Sequence, residues 1–144
     1  MTDEQIALAR RAAACRGWRW MPGMVMLWLS GEVGGFSSWA RPMTVSSDGS
    51  INWWEGDPPT DEVDEVWQDK AIPDLTDAAT LGCLLALVRE AWGDHANSFA
   101  NGYEEPQKMW EVYNGRINSD DYGHEIATGS TEVEALVAAL EAAP

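Results

Sequence analysis

Apolar residues recur along this chain with two different periods, which predicts a mixture of helices and strands. The clearest helix is expected over 78–92, with Thr76 as its N-cap and Gly93 as its stop signal. Its apolar face consists of residues at helical spacing: Leu81, Leu84, Leu85, Val88 and Trp92. This spacing predicts an amphipathic helix with one buried side.

Capping residues predict two further helices. Thr2 and Gln5 form a capping box before a helix over 2–15, and Thr131 and Glu134 form another before a helix over about 132–143. We expect one core to contain side chains of both long helices: Leu84, Leu85, Val88, Leu136, Val137 and Leu140.

Short apolar stretches bounded by turn residues predict strands. They lie at 24–29, 43–45, 51–54, 97–103, 108–113 and 125–128. Asp48 and Gly49 predict a hairpin between the second and third of them, and Asn114 with Gly115 gives the strongest hairpin signal in the chain.

Alternation within these strands predicts which side chains face the core. Trp110 and Val112 are expected to face inward, and Glu111 and Tyr113 to lie on the opposite side. The resulting order is helix, strands, helix, strands, helix. Without a strict alternation of strand and helix, this order predicts an α+β fold, with helices packed on a mainly antiparallel sheet in a single domain over 1–144.

An acidic segment over about 55–77 interrupts this pattern. It contains nine acids and one lysine, with Pro58, Pro59 and Pro73 breaking regular structure. The segment is therefore expected to be an exposed connection, with a short helical turn near 63–67. Its acids and the neighbouring tryptophans are the expected interaction residues: Asp57, Asp61, Glu62, Asp64, Glu65, Trp53, Trp54 and Trp67.

Charge and composition narrow the class of partner. The chain has 144 residues, a formal net charge of -15 and nine tryptophans. Such a charge disfavours direct nucleic-acid binding and an anionic membrane surface, and it favours either solubility alone or attraction to a basic protein. No apolar run is long enough to span a bilayer, and the N-terminus has no signal-peptide pattern, which predicts a cytoplasmic protein.

Catalytic chemistry is not indicated by the sequence. His95 and His124 are isolated histidines beside acids, and Cys15 and Cys83 form no metal-binding pair. Phosphate-binding glycine loops and nucleophile elbows are absent from the sequence. We therefore expect a protein that is not an enzyme and needs neither a metal nor a cofactor.

Several stretches resemble the phage ABA-sandwich proteins, a group of small phage and prophage proteins. The similar stretches are GWRWMPG at 17–23, PDLTD at 73–77, EAWG at 90–93, WEV at 110–112 and TEVEALVAAL at 131–140. The resemblance implies a layered α+β fold, a phage or prophage origin and the cytoplasm of a bacterial host. It implies no activity.

Two hypotheses on function follow. The first is an interaction protein that binds a host protein with a basic surface, such as a defence nuclease whose nucleic-acid groove an acidic body could occupy. The alternative is a module that binds a sugar or nucleotide, because exposed tryptophan faces stack on such rings.

Overall fold

The computed structural model describes residues 2–28, 42–48, 50–53, 71–93, 96–101, 109–115 and 123–144. Within these ranges the elements follow the order α1 (Asp3–Ala14), β1 (Val25–Trp28), β2 (Pro42–Val45), β3 (Ile51–Trp53), β4 (Ala71–Pro73), α2 (Ala78–Trp92), β5 (Ala96–Asn101), β6 (Met109–Asn114), β7 (His124–Gly129) and α3 (Glu132–Glu141). The strands pair antiparallel in two sheets, ordered β3-β2-β1-β4 and β5-β6-β7. The predicted α+β fold is confirmed.

The first sheet begins with the predicted hairpin. Val45 of β2 pairs with Ile51 of β3, and the backbone N–H of Ser46 donates to the carbonyl of Ser50 at 2.8 Å. The carboxylate of Asp48 accepts the backbone N–H of Ser50 at 2.9 Å, which stabilises the turn. Asp48 therefore stabilises the hairpin that its sequence pattern predicts.

Strand β4 lies inside the stretch predicted to be an exposed connection. It pairs with β1, with Ile72 opposite Leu27, and both Ala71 and Ile72 are 4% exposed. The prediction is wrong here because a three-residue apolar stretch is too short to stand out beside so many acids. Pro73 fits at the end of the strand, although it has no N–H to donate. The predicted helical turn near 63–67 lies outside the described residues.

Strand β1 is buried on both faces. Met26 and Leu27 are neighbours and point to opposite sides of the sheet, yet they are only 3% and 7% exposed. Their side chains belong to one hydrophobic cluster that includes residues of α1, α2, α3 and both sheets. Among the helices in the described ranges, none is long and apolar enough to cross a membrane.

The buried face of α2 is rotated from the predicted one. Leu84 and Val88 are fully buried as expected, but the positions beside them are Thr80 and Leu87, while Leu85 is half-buried. Leu85 packs against the core from this half-buried position, whereas the burial of Thr80 was not predicted because a helical wheel assigns a polar residue to the solvent side. In the structure, Thr80 is buried because it forms hydrogen bonds.

Thr80 joins α2 to the first sheet. Its Oγ1 accepts the backbone N–H of Val25 at 2.8 Å and donates to Oδ2 of Asp77 at 3.0 Å. The same carboxylate oxygen accepts the backbone N–H of Thr80 at 2.8 Å, so Asp77 is the N-cap of α2. Thr76, the predicted cap, instead donates its hydroxyl and its N–H to Asp74.

We expect Thr80→Val to lower the free energy of unfolding by about 1–3 kcal/mol, because the variant leaves a buried N–H without an acceptor. Valine has nearly the shape of threonine, so packing should change little. Urea denaturation measures the difference. Thr128→Val on an exposed position of β7 is the matched control and should be close to neutral. Equal midpoints for the two variants would contradict the role assigned to Thr80.

Helix α3 begins with a modified capping box. Oγ1 of Thr131 accepts the N–H of Glu134 at 3.2 Å, as predicted. The carboxylate of Glu134 also accepts the backbone N–H of Ser130 at 2.9 Å and the Ser130 hydroxyl, one residue before the N-cap. These hydrogen bonds, the hydroxyl first, lower the pKa of Glu134 below its ordinary value. At α1, by contrast, the box between Thr2 and Gln5 is complete.

The second sheet packs one face against α3. Val112 of β6 and Leu136 of α3 are fully buried, and the hydroxyl of Ser98 donates to Glu132 at 2.7 Å. The hairpin predicted at Asn114 and Gly115 is confirmed as the antiparallel pair of β6 and β7, but Asn114 is still paired with His124 and therefore belongs to the strand. The connection between β6 and β7 is therefore longer than the dipeptide indicates.

Candidate functional site

The expected interaction residues lie almost entirely outside the described part of the chain. These residues are Asp57, Asp61, Glu62, Asp64, Glu65, Trp54 and Trp67. Trp53 is the last residue of β3, and its backbone pairs with that of Met43. The role of these residues in binding thus stays a prediction.

The second sheet presents one face that α3 does not cover. We call it the open face and define it by five side chains of β6 and β7: Met109, Glu111, Tyr113, Glu125 and Thr128. The three residues of β6 share this side because alternate residues of a strand point the same way. Trp110 and Val112, between them, pack toward the core, as the sequence predicted.

A β-bulge in β7 determines which of its residues reach the open face. Val112 pairs with Ala127, but Tyr113 pairs with Glu125, so Ile126 is the extra residue. Ile126 and Ala127 both pack against the core, while Glu125 is exposed. The bulge therefore places the Glu125 side chain beside Tyr113.

Tyr113 and Glu111 are joined on this face. The Tyr113 hydroxyl donates to Oε2 of Glu111 at 2.7 Å. This hydrogen bond is the largest cause of a raised pKa at Tyr113, to which burial and the negative charges of Glu111 and Glu125 add. The phenol therefore stays neutral and is held in one orientation over the sheet.

Apolar and acidic groups lie together on the open face. Met109 is 41% exposed, the largest exposed apolar side chain among the described residues. Glu125 is exposed and has no ion-pair partner in the described ranges. Methionine and tyrosine are common in protein interfaces, and surface carboxylates attract a basic partner.

Four tryptophans have described side chains, and all four are half-buried. The rings of Trp18 and Trp20 pack edge to face with centroids 5.6 Å apart. The indole N–H of Trp92 donates to the carbonyl of Ala139 at 2.8 Å, which joins α2 to α3. Trp110 packs against the core. All four pack against the core and none is fully exposed, so the sugar or nucleotide hypothesis gains no support from the described tryptophans.

The histidines and cysteines expected to be inert form no metal-binding cluster among the described residues. His124 is exposed at the start of β7, and His95 lies outside the described residues. In the described ranges, no three or more histidine, cysteine or acidic side chains lie close enough together to hold a metal ion. Burial raises the pKa of both Cys15 and Cys83, so the two thiols are protonated near neutral pH.

No protein-family model matches the chain, and no match is found among curated proteins or solved structures. The resemblance to the phage sandwich proteins therefore stays a prediction, and the open face has to be interpreted from its own residues.

Proposed function

We propose that this chain is a non-enzymatic interaction protein that binds the basic surface of another protein through the open face of its second sheet. The observation that supports the proposal is the combination of exposed Met109 with Tyr113 and Glu125 on one sheet face. The net charge of -15 would accelerate the encounter with a cationic surface. If the phage resemblance holds, the partner is a host protein, and a defence nuclease with a basic groove is one such target.

The rigidity of the face favours this use. Tyr113 is fixed by its hydrogen bond to Glu111, and both strands are anchored from behind by packing against α3. A side chain that is already ordered loses less conformational freedom when a partner binds. We infer that Tyr113 and Met109 supply the contact area, while Glu125 contributes attraction at the rim.

The test is affinity capture from a bacterial lysate at two salt concentrations, with a surface variant and a matched control. The surface variant is Met109→Ser with Glu125→Gln. The control is Ala7→Ser with Glu4→Gln, which removes the same charge and introduces the same two residues at exposed positions of α1. Raising salt from about 0.1 M to 1 M shortens the Debye length from about 10 Å to about 3 Å.

We expect the wild-type chain and the control to retain a basic protein at low salt and to lose it at high salt. The surface variant should fail to retain that protein even at low salt. Equal capture by both variants would place the interaction elsewhere on the chain. Absence of any salt-sensitive partner would overturn the proposal.

A further inference from the structure

A cleft of about 560 Å³ lies where α1, α2 and α3 end. Its apolar lining consists of small or aliphatic residues from all three helix ends: Ala14, Gly17, Ala91, Leu140 and Ala143. Small side chains leave room between the helices, and the volume is within the range of about 300–1,000 Å³ that is typical of small-ligand sites. The cleft shares no residue with the open face.

Several backbone acceptors beside this cleft are already occupied. The carbonyl of Ala12 accepts the N–H of Cys15, the carbonyl of Leu140 accepts the N–H of Ala143, and the carbonyl of Arg11 accepts the Cys15 thiol at 3.3 Å. Free carbonyls at helix ends normally attract cations, but here capping has satisfied these ones. Cys15 itself adds no negative charge, since burial raises its pKa.

Apart from the carboxylate of Glu141, the charged side chains that line the cleft are donors. Arg11 is held by a two-pronged contact with Glu141, from Nε at 2.9 Å and from Nη2 at 2.7 Å, which leaves its Nη1 amino group outside the pair. Arg16 also lines the cleft, is exposed and has no ion-pair partner in the described ranges. A guanidinium presents planar donors that fit a carboxylate or phosphate.

The positive charge of this acidic chain is concentrated near the cleft. Four of its nine lysine and arginine residues, namely Arg10, Arg11, Arg16 and Arg19, lie within ten positions of one another. Arg19 is paired with Glu90, and Arg11 with Glu141. At physiological salt the Debye length is about 8 Å, so distant acids are largely screened and the nearby arginines dominate.

We propose that this cleft binds a small organic anion, with its apolar body against the aliphatic lining and its anionic group on Arg16. Arg11, fixed by Glu141, supplies a second donor. Carboxylates and phosphate monoesters share this chemistry, and the length of the apolar body is limited by the cleft volume.

The experiment uses hexanoate and hexyl phosphate as probes, with hexanol and hexylammonium as matched compounds that lack or reverse the charge. Backbone amide shifts of the ¹⁵N-labelled full chain report the position of binding. We expect the two anions to give saturating shifts at Ala14, Gly17 and Ala143, and the other two compounds to bind much more weakly. The stronger anion identifies the preferred head group.

Two variants and one control test the assigned residues. Arg16→Gln should weaken the binding of the preferred anion by about tenfold or more, since a charged hydrogen bond is lost. Arg10→Gln removes the same charge from an exposed position of α1 that does not line the cleft, and should change affinity less than about twofold. Ala14→Phe fills the cleft from an exposed helix position and should abolish binding while the circular dichroism spectrum is retained.

Three results would overturn the proposal. They are the absence of saturating shifts with either anion, tight binding of hexylammonium, and equal losses in the Arg16 and Arg10 variants. Because no open-face residue is altered, each result is independent of the lysate capture experiment.

Discussion

Leu84→Ala is expected to lower the free energy of unfolding by about 2–5 kcal/mol, the usual cost of a leucine truncation in a closed core. Leu84 is 0% exposed and lies in the cluster that joins the three helices to both sheets. The truncation removes its contacts and leaves a cavity that the helices around it can close only in part. Chemical denaturation followed by circular dichroism measures the loss.

Leu85→Ala is the matched control, since it makes the same change one residue later. Leu85 is half-buried, so its truncation removes less apolar surface from the folded state and opens no closed cavity. We expect a cost of about 1 kcal/mol. Equal losses at the two positions would mean that Leu85 is as deeply buried as Leu84, as the sequence predicts, and not half-buried as in the structure.

Local rules predicted the features of this fold that depend on neighbours in sequence. The capping box of Thr2 and Gln5 and the helix end at Gly93 need only the residues beside them, and both are confirmed. The Asp48 turn is confirmed for the same reason, since its carboxylate binds a backbone group two residues away. Such contacts join residues that are close in sequence and can be inferred from a short stretch of chain.

Features that depend on distant partners were predicted less well. Thr80 is buried because Val25, 55 positions earlier in the chain, supplies an N–H for its hydroxyl. The hairpin predicted at Asn114 and Gly115 forms, but the dipeptide is not its tight turn, because Gly115 lies against Gly123: a Cβ on Gly115 would be 2.7 Å from the Cα of Gly123. A glycine that allows close backbone approach looks the same in the sequence as a glycine that forms a tight turn.

The open face was predicted only in part, because one of its residues depends on how two strands pair. Alternation along β6 correctly placed Glu111 and Tyr113 away from the core. The position of Glu125 beside Tyr113 depends on the bulge at Ile126, which has no glycine or proline to reveal it. The cleft was not predicted at all, since it is assembled from three helix ends that are far apart in sequence.

Two glycine substitutions are expected to change the free energy of unfolding in opposite directions, one because of close packing and the other because of helix propensity. We expect Gly129→Ala to lower the free energy of unfolding by about 1–3 kcal/mol or more, as overpacking does. Gly129 ends β7, two residues before the N-cap of α3. A Cβ there would lie 2.5 Å from the backbone nitrogen of Ala135 and 2.8 Å from Cβ of Glu134. Neither is the end of a flexible side chain, so the helix and the strand have to separate.

Gly82→Ala provides the control in the same background. Gly82 is exposed within α2, and an added Cβ would meet nothing within 4 Å. Alanine in a helix interior is favoured over glycine by about 0.5–1 kcal/mol, so this variant should be more stable than the wild type. Thermal and urea unfolding show whether each variant is more or less stable than the wild type. If Gly129→Ala leaves the free energy of unfolding unchanged, α3 does not approach the end of β7 as closely as the structure places it. The packing that anchors the second sheet behind the open face would then be looser than proposed.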